Sequence, residues 1–324
     1  MRGWTRRHRV AVFVSKRIMS GIVLVFVVSL LVFLAMNVLP GDPVAALLGR
    51  AASPQRAAFV REQLGLSRPL PQRYVHWLSH AVRGDLGQSL TSGTSVSGLI
   101  LPRLRNTLIL AIVTSLVMFP LGFLFGALGG AKRGGRFDSV SSIGALALLS
   151  LPEFVAGTLL IYILGIRFHL FPPVSLFSPQ AGPLSDPATL VLPMLTLALV
   201  NFGYTFRFVR SAVAETMGSE YVRQARLNGF GEGTVVFRYS LRNALAPVVQ
   251  MSSLVFLSLV AGVVITESVF SYPGIGLLAV NAAISRDFTT MVGVAVIVAI
   301  IYVIVNLITD IIIIMTNPKT RAEL

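Results

Sequence analysis

The sequence predicts an all-α integral membrane protein. It has six transmembrane helices, a large extracytoplasmic loop between spans 1 and 2, and a polar cytoplasmic helix between spans 4 and 5. Three observations carry this expectation. The 324 residues are 54% hydrophobic and only 12% charged, where a soluble domain would carry roughly a quarter charged residues. The apolar residues fall in runs that reach the ~20 residues a bilayer span needs. Lipid forbids open sheet, and barrel strands would show short alternating segments, so helices are what these runs can form.

Residues 1–20 are basic, and 10–17 (VAVFVSKR) suit a short interfacial helix leading into the first span. Span 1, residues 21–39 (GIVLVFVVSLLVFLAMNVL), carries no charge. It outruns the usual signal-peptide core of about 7–15 residues, so it is expected to be retained. Residues 40–106 form the long outer loop. Spans 2 to 6 follow at 107–130, 139–166, 189–206, 245–270 and 289–315. Span 4 is the shortest and runs into Arg207 and Arg210. A cytoplasmic stretch, 207–244, precedes span 5, and 316–324 form a tail. Residues 21–315 read as a single domain without internal repeats. Pro120, Pro152 and Pro193 are placed to kink their spans.

The net charge of +14 would point to nucleic acid in a soluble protein. In a chain embedded in membrane lipid, the positive-inside rule explains it better, and no nucleic-acid partner is expected. Lys132, Arg133 and Arg136 lie between spans 2 and 3, whereas the loop after span 3 holds Arg167 alone. Both termini are therefore expected in the cytoplasm. There is no cysteine, which excludes disulfides and leaves the compartment open.

The stretch SEYVRQARLNGFGEGTVVFRYSLRNALAP, residues 219–247, interrupts this pattern. Arg223, Arg226, Arg238 and Arg242, with Glu220 and Glu232, would cost at least ~10 kcal/mol in a bilayer. They belong in the cytoplasm. Ser219 is placed as an N-cap for a helix from Glu220 to about Leu227. Asn228-Gly229 is its stop signal. Gly231 and Gly233 loosen the turn before a second helix from about Thr234. Tyr221 and Ala225 share a face at i and i+4, an aromatic knob beside a small residue. Spacing alone allows two readings: a solvated loop whose arginines obey the inside rule, or an element that docks into a partner.

Other polar positions also carry two readings. Residues 72–82 place Tyr74, Trp77, Leu78 and Val82 on one helical face. That helix either caps the outer mouth or receives an extracytoplasmic protein. His76 and His80 have a metal-ligand spacing. No Cys or carboxylate cluster accompanies them, so interfacial histidines are favoured and no metal site is expected. Glu153, after Pro152, is the one carboxylate well inside a span, either on a substrate path or paired with a neighbouring subunit. Glu267 and Asp310 lie near the ends of spans 5 and 6.

Glu220-Tyr221-Val222-Arg223-Gln224-Ala225-Arg226, then Gly229, then Leu241-Arg242-Asn243-Ala244-Leu245-Ala246-Pro247 resemble the coupling loop of binding-protein-dependent ABC importer permeases. The likeness is to the dipeptide, oligopeptide and nickel branch, in its first permease subunit. Pro40-Gly41-Asp42-Pro43, Leu64-Gly65-Leu66, residues 84–89 (GDLGQS), residues 267–276 (ESVFSYPGIG) and Arg286-Asp287 extend it along most of the chain. Leu227 and Asn228 depart from the usual pattern.

The resemblance implies a permease subunit in a bacterial inner membrane, forming half of a path for dipeptides or short oligopeptides. Nickel complexes are the second choice of cargo. It implies a second, related permease, two ATPase subunits or one fused pair, and an extracytoplasmic substrate-binding protein. Glu220, Tyr221, Arg223, Ala225, Arg226 and Gly229 would couple to the ATPases. Asp42, Tyr74, Trp77 and Asp85 would dock the binding protein, and Glu153 and Glu267 are candidates for the path. The chain lacks a phosphate-binding G-x-x-x-x-G-K-[ST]; its lysines are Lys16, Lys132 and Lys319. ATP and Mg would therefore sit on the partner ATPases, with no cofactor and no catalysis on this chain. A secondary transporter, the more distant alternative, would show inverted repeats.

Overall fold

A computed structural model of the protein describes residues 2–38, 44, 48, 53–63, 66–261 and 263–316. Its regular structure is helical, apart from one isolated antiparallel bridge between Gln88 and Ser95 among the described residues. Helix α1, Arg2–Val38, is continuous and takes in residues 10–17. Two outer helices follow, α2 (Pro54–Gln63) and α3 (Leu70–Ala81). Helix α4, Val96–Ala131, starts well ahead of residue 107 because the Ser95 hydroxyl accepts from the Gly98 amide at 3.2 Å and caps it there.

Span 3 is broken. Helices α5 (Arg136–Ser150) and α6 (Glu153–Leu160), the latter continued by a π-helical stretch Ile161–Arg167, meet at 97°. Proline disfavours helical backbone in the residue before it, and Leu151 is indeed extended. Pro120 and Pro193, in contrast, sit inside helices that run on through them. Helix α7, Ala188–Met217, extends past residue 206 and takes in Arg207 and Arg210. Arg210 is accommodated by a two-pronged ion pair with Asp138 at the start of α5.

Beyond α7 come α8 (Glu220–Leu227), a turn Glu232–Thr234, a π-helical stretch Val235–Ser240, and α9 (Leu241–Ala261). The chain then forms α10 (Val264–Val269), α11 (Ile275–Ile284) and α12 (Phe288–Thr316). Among the described residues five helical segments are long and apolar enough to cross a bilayer, or six if the bent α5–α6 pair is one span.

The most extensive helix contact is α4 on α7. Gly122, Gly126 and Gly130, one every four residues, let the two backbones close up. A Cβ on Gly130 would stand 2.6 Å from the Arg210 carbonyl, and one on Gly126 would stand 2.9 Å from the Phe206 carbonyl. Small residues at this spacing are how membrane helices approach closely where no hydrophobic force drives them together. Helix α1 lies along α12, pinned by Arg17 to Asp310 at 2.6 Å. The outer helix α3 is sewn onto this pair through Tyr74, which packs with Phe33 and Val292 and has its hydroxyl 2.8 Å from that of Ser29.

Candidate functional site

Three polar sites interrupt the apolar bundle. The first is the hairpin after α7. Val222 and Ala225 on α8 bury against Val235, with Met217 and Tyr239 packed around them. The hairpin thus carries a small core of its own. Its turn is set by the chain: Gly229 has φ +79°. Its amide donates to the Arg226 carbonyl at 3.0 Å, while the Phe230 amide donates to the Ala225 carbonyl at 3.3 Å. This pairing terminates a helix at a left-handed glycine. Arg226 clamps Glu232 across the turn with two bonds, 2.8 and 3.1 Å. Ser219 is extended but does not cap α8 with its side chain; its hydroxyl donates backwards to the Thr216 carbonyl.

Tyr221 and Ala225, grouped on one face by their spacing, have different surroundings. Ala225 is 3% exposed and belongs to the hairpin core, whereas Tyr221 is 39% exposed. Leu227 and Phe230 are exposed with it, and the Glu220 and Arg223 side chains are open to solvent. The hairpin offers an apolar surface edged by charge, a composition suited to a protein partner.

The second site is a buried knot at the start of α11. Glu267 is fully buried. Its carboxylate accepts from the Thr107 hydroxyl at 2.6 Å and from the Leu277 amide at 2.9 Å. The Thr107 oxygen in turn accepts from the Ile275 amide at 2.9 Å. Asn106 donates to the carbonyls of Pro273 and Pro179, and the Tyr272 hydroxyl donates to the Asn106 carbonyl at 2.7 Å. Glu267 therefore satisfies the first turn of α11 from another helix. Gly274 is required beside it, because a Cβ there would lie 1.9 Å from the carboxylate. In this arrangement Glu267 ties α10 to α4 and α11 from a buried position.

The third site is Glu153, at the first turn of α6. One carboxylate oxygen, Oε1, accepts from the amide and the hydroxyl of Thr266. The residue lines a cavity of about 420 Å³ with Asn201, Tyr204 and Ser258, walled by Leu197, Leu254 and Met251. Thr266 and Glu267 are adjacent, so α10 joins the Glu153 cavity to the knot.

Residues 118–322 match the family described as "Binding-protein-dependent transport system inner membrane component", and residues 10–111 match its amino-terminal counterpart, "Binding-prot-dependent transport system membrane comp, N-term". The chain belongs to this family. Among similar proteins is the "Probable peptide ABC transporter permease protein y4tP" of Sinorhizobium fredii, 33% identical, with 96% of this chain and 99% of that protein covered. The "Glutathione transport system permease protein GsiC" of Escherichia coli O6:H1 is 34% identical over 95% and 98%. The "Oligopeptide transport system permease protein AppB" of Bacillus subtilis is 32% identical over 95% and 99%. The fold is also that of a chain in the inward-facing MetNI methionine ABC transporter, at a TM-score of 0.55 and 18% identity, covering 68% of this chain and 96% of that one.

In this inner membrane component the outer segment forms a further hollow of about 480 Å³. Trp77 and Asp85 line it beside Arg73, His76 and His80. Tyr74 is buried in the packing against α1, and Asp42 lies outside the described residues. His76 and His80 stack edge-to-face, and His80 Nδ1 bonds the His76 carbonyl at 2.9 Å. Among the described residues no group of three or more His, Cys, Asp or Glu could hold a metal ion.

The sequence does not single out Asn106, Thr107 and Thr266: Thr107 and Thr266 lie in apolar runs and Asn106 just ahead of one. Asp287, part of a motif quoted above, also ties elements together. That carboxylate accepts from the Thr290 amide at 3.1 Å at the head of α12 and from the Ser89 hydroxyl of the outer segment.

Proposed function

We propose that this permease is one of two related membrane subunits of an ATP-driven importer, and that its cargo is dipeptides or short oligopeptides. Both termini and the hairpin face the cytoplasm, in keeping with Lys132, Arg133, Arg136 and the hairpin arginines. Separate or fused ATPase subunits grip the hairpin, and an extracytoplasmic binding protein delivers cargo at the outer hollow beside Trp77 and Asp85. The path runs past Glu153, between α6, α7 and α9. Peptide is favoured over nickel complexes because the relatives are named as peptide, oligopeptide and glutathione permeases.

The observation that carries the reading is the self-supporting hairpin: a short helix with its own core, exposing Tyr221, Leu227 and Phe230 beyond the end of α7. A connecting loop needs no such core. An ATPase groove closing around it would move α7 and α9 together, because both are rooted in the same hairpin. The bistable element is then the span bundle, biased by nucleotide state.

The test is Gly229→Asp in the reconstituted complex. The space around the Gly229 Cβ position is open, so the variant perturbs a left-handed turn and places a charge at the contact without a steric clash. Peptide uptake should fall at least about tenfold, and its coupling to ATP hydrolysis should be lost while the subunits still assemble. Unchanged uptake and hydrolysis would make residues 219–243 an ordinary loop.

A further inference from the structure

Among the described residues, Glu153 is a carboxylate in the bent span with no ion-pair partner. The ion pairs of the described residues join Arg17 to Asp310, Arg210 to Asp138, Arg223 to Glu220 and Arg226 to Glu232; Glu153 takes part in none of them. Among the described residues its Oε1 alone is bonded, to Thr266. The cavity it lines adds neutral donors and acceptors alone, from Asn201, Tyr204 and Ser258, on otherwise apolar walls. A charge kept inside a membrane protein without a partner is costly, and such residues are retained where a cation passes or binds. The pairing with Thr266 holds the carboxylate in place and leaves Oε2 without a bond among the described residues.

We propose that Glu153 and its cavity form a transient site for a protonated amine, the α-ammonium group of the transported peptide. This rests on the peptide-permease reading above. The amino terminus is the cation that every unmodified peptide carries, whatever its side chains, so one carboxylate can serve a permease of broad cargo. Asn201, Tyr204 and Ser258 offer hydrogen bonds to the neighbouring peptide groups, and Leu197, Leu254 and Met251 accept varied side chains. The contact is single and partly open, which suits passage better than capture: a cation must bind well enough to enter and weakly enough to leave.

The experiment uses the complete reconstituted transporter, with its binding protein at saturating concentration. Uptake of a tripeptide is compared with uptake of its N-acetylated twin in the parent and in Glu153→Gln. Glutamine can still accept from Thr266, so the local fold is kept. The parent should carry the free-amine peptide about tenfold faster, and Glu153→Gln should bring the ratio close to one. Glu153→Asp should keep part of the preference.

A ratio that is the same in parent and Glu153→Gln overturns the proposal. So does loss of the second permease subunit from Glu153→Gln on purification, because the missing cation would then belong to that subunit. Leu254→Trp, which fills the cavity and leaves Glu153 alone, separates the two readings. If it slows both peptides while the ratio test fails, the cavity is a path without an amine site. If it slows neither, the cavity is not on the path and the amine site falls with it.

Discussion

The hairpin after α7 and the Glu267 knot are built from equally recognisable sequence, but the structure uses them in opposite ways. In the knot every polar group turns inward: Glu267, Thr107, Asn106 and Tyr272 bond one another and the backbone of residues 273–277. In the hairpin Val222, Ala225 and Val235 turn inward, and Glu220, Tyr221, Arg223, Leu227 and Phe230 are left on the outside. A distinctive motif can therefore mark either a place that holds shape or a place that meets a partner. Burial decides which, and motif spelling does not.

The largest expected effect comes from breaking the knot. Gly274→Ala puts a methyl group on the Glu267 carboxylate and should cost roughly 3 kcal/mol or more, as overpacking does at its upper end. The purified chain should lose thermal stability and recover poorly from the membrane. Next is Val222→Asp, which buries an unpaired charge in the hairpin's small core at a local cost of about 3–5 kcal/mol. Its damage should stay local: the spans keep their thermal transition while peptide uptake is lost. If Val222→Asp also unfolded the spans, the hairpin would be part of the main core and the contrast would fail. Arg226→Ala should do least, because its pair with Glu232 is solvent-exposed and such pairs contribute under about 1 kcal/mol. Stability should be unchanged and uptake reduced only modestly.

The spans were readable because run length is a direct consequence of bilayer thickness, and residues 21–39 or 289–315 have no other use. The hairpin's stop was readable because Gly229 follows Asn228 at the end of a polar helix. What escaped was tertiary. Pro152 announces a kink but not a 97° turn, since the angle depends on how α6 packs against α7 and α10. The apolar stretch Ile275–Ile284 is too short to cross a bilayer and had no reason to stand out in the loop between spans 5 and 6. The four-residue spacing of Gly122, Gly126 and Gly130 was in plain view, but only a facing helix gives it meaning. Tyr221 and Ala225 do lie four residues apart on one helix, but helical spacing cannot tell that one is covered by Val235 and the other is not.

The central claim is that the exposed side of the hairpin is a docking surface while its inner side is structural. A chain without cysteine allows a direct measurement. Tyr221→Cys and Ala225→Cys are each reacted with a maleimide, in the isolated chain and in the complex assembled with its ATPase subunits. Tyr221→Cys should label readily in the isolated chain and be protected at least about tenfold on assembly, while Ala225→Cys labels slowly in both. Equal labelling of Tyr221→Cys before and after assembly would contradict the account.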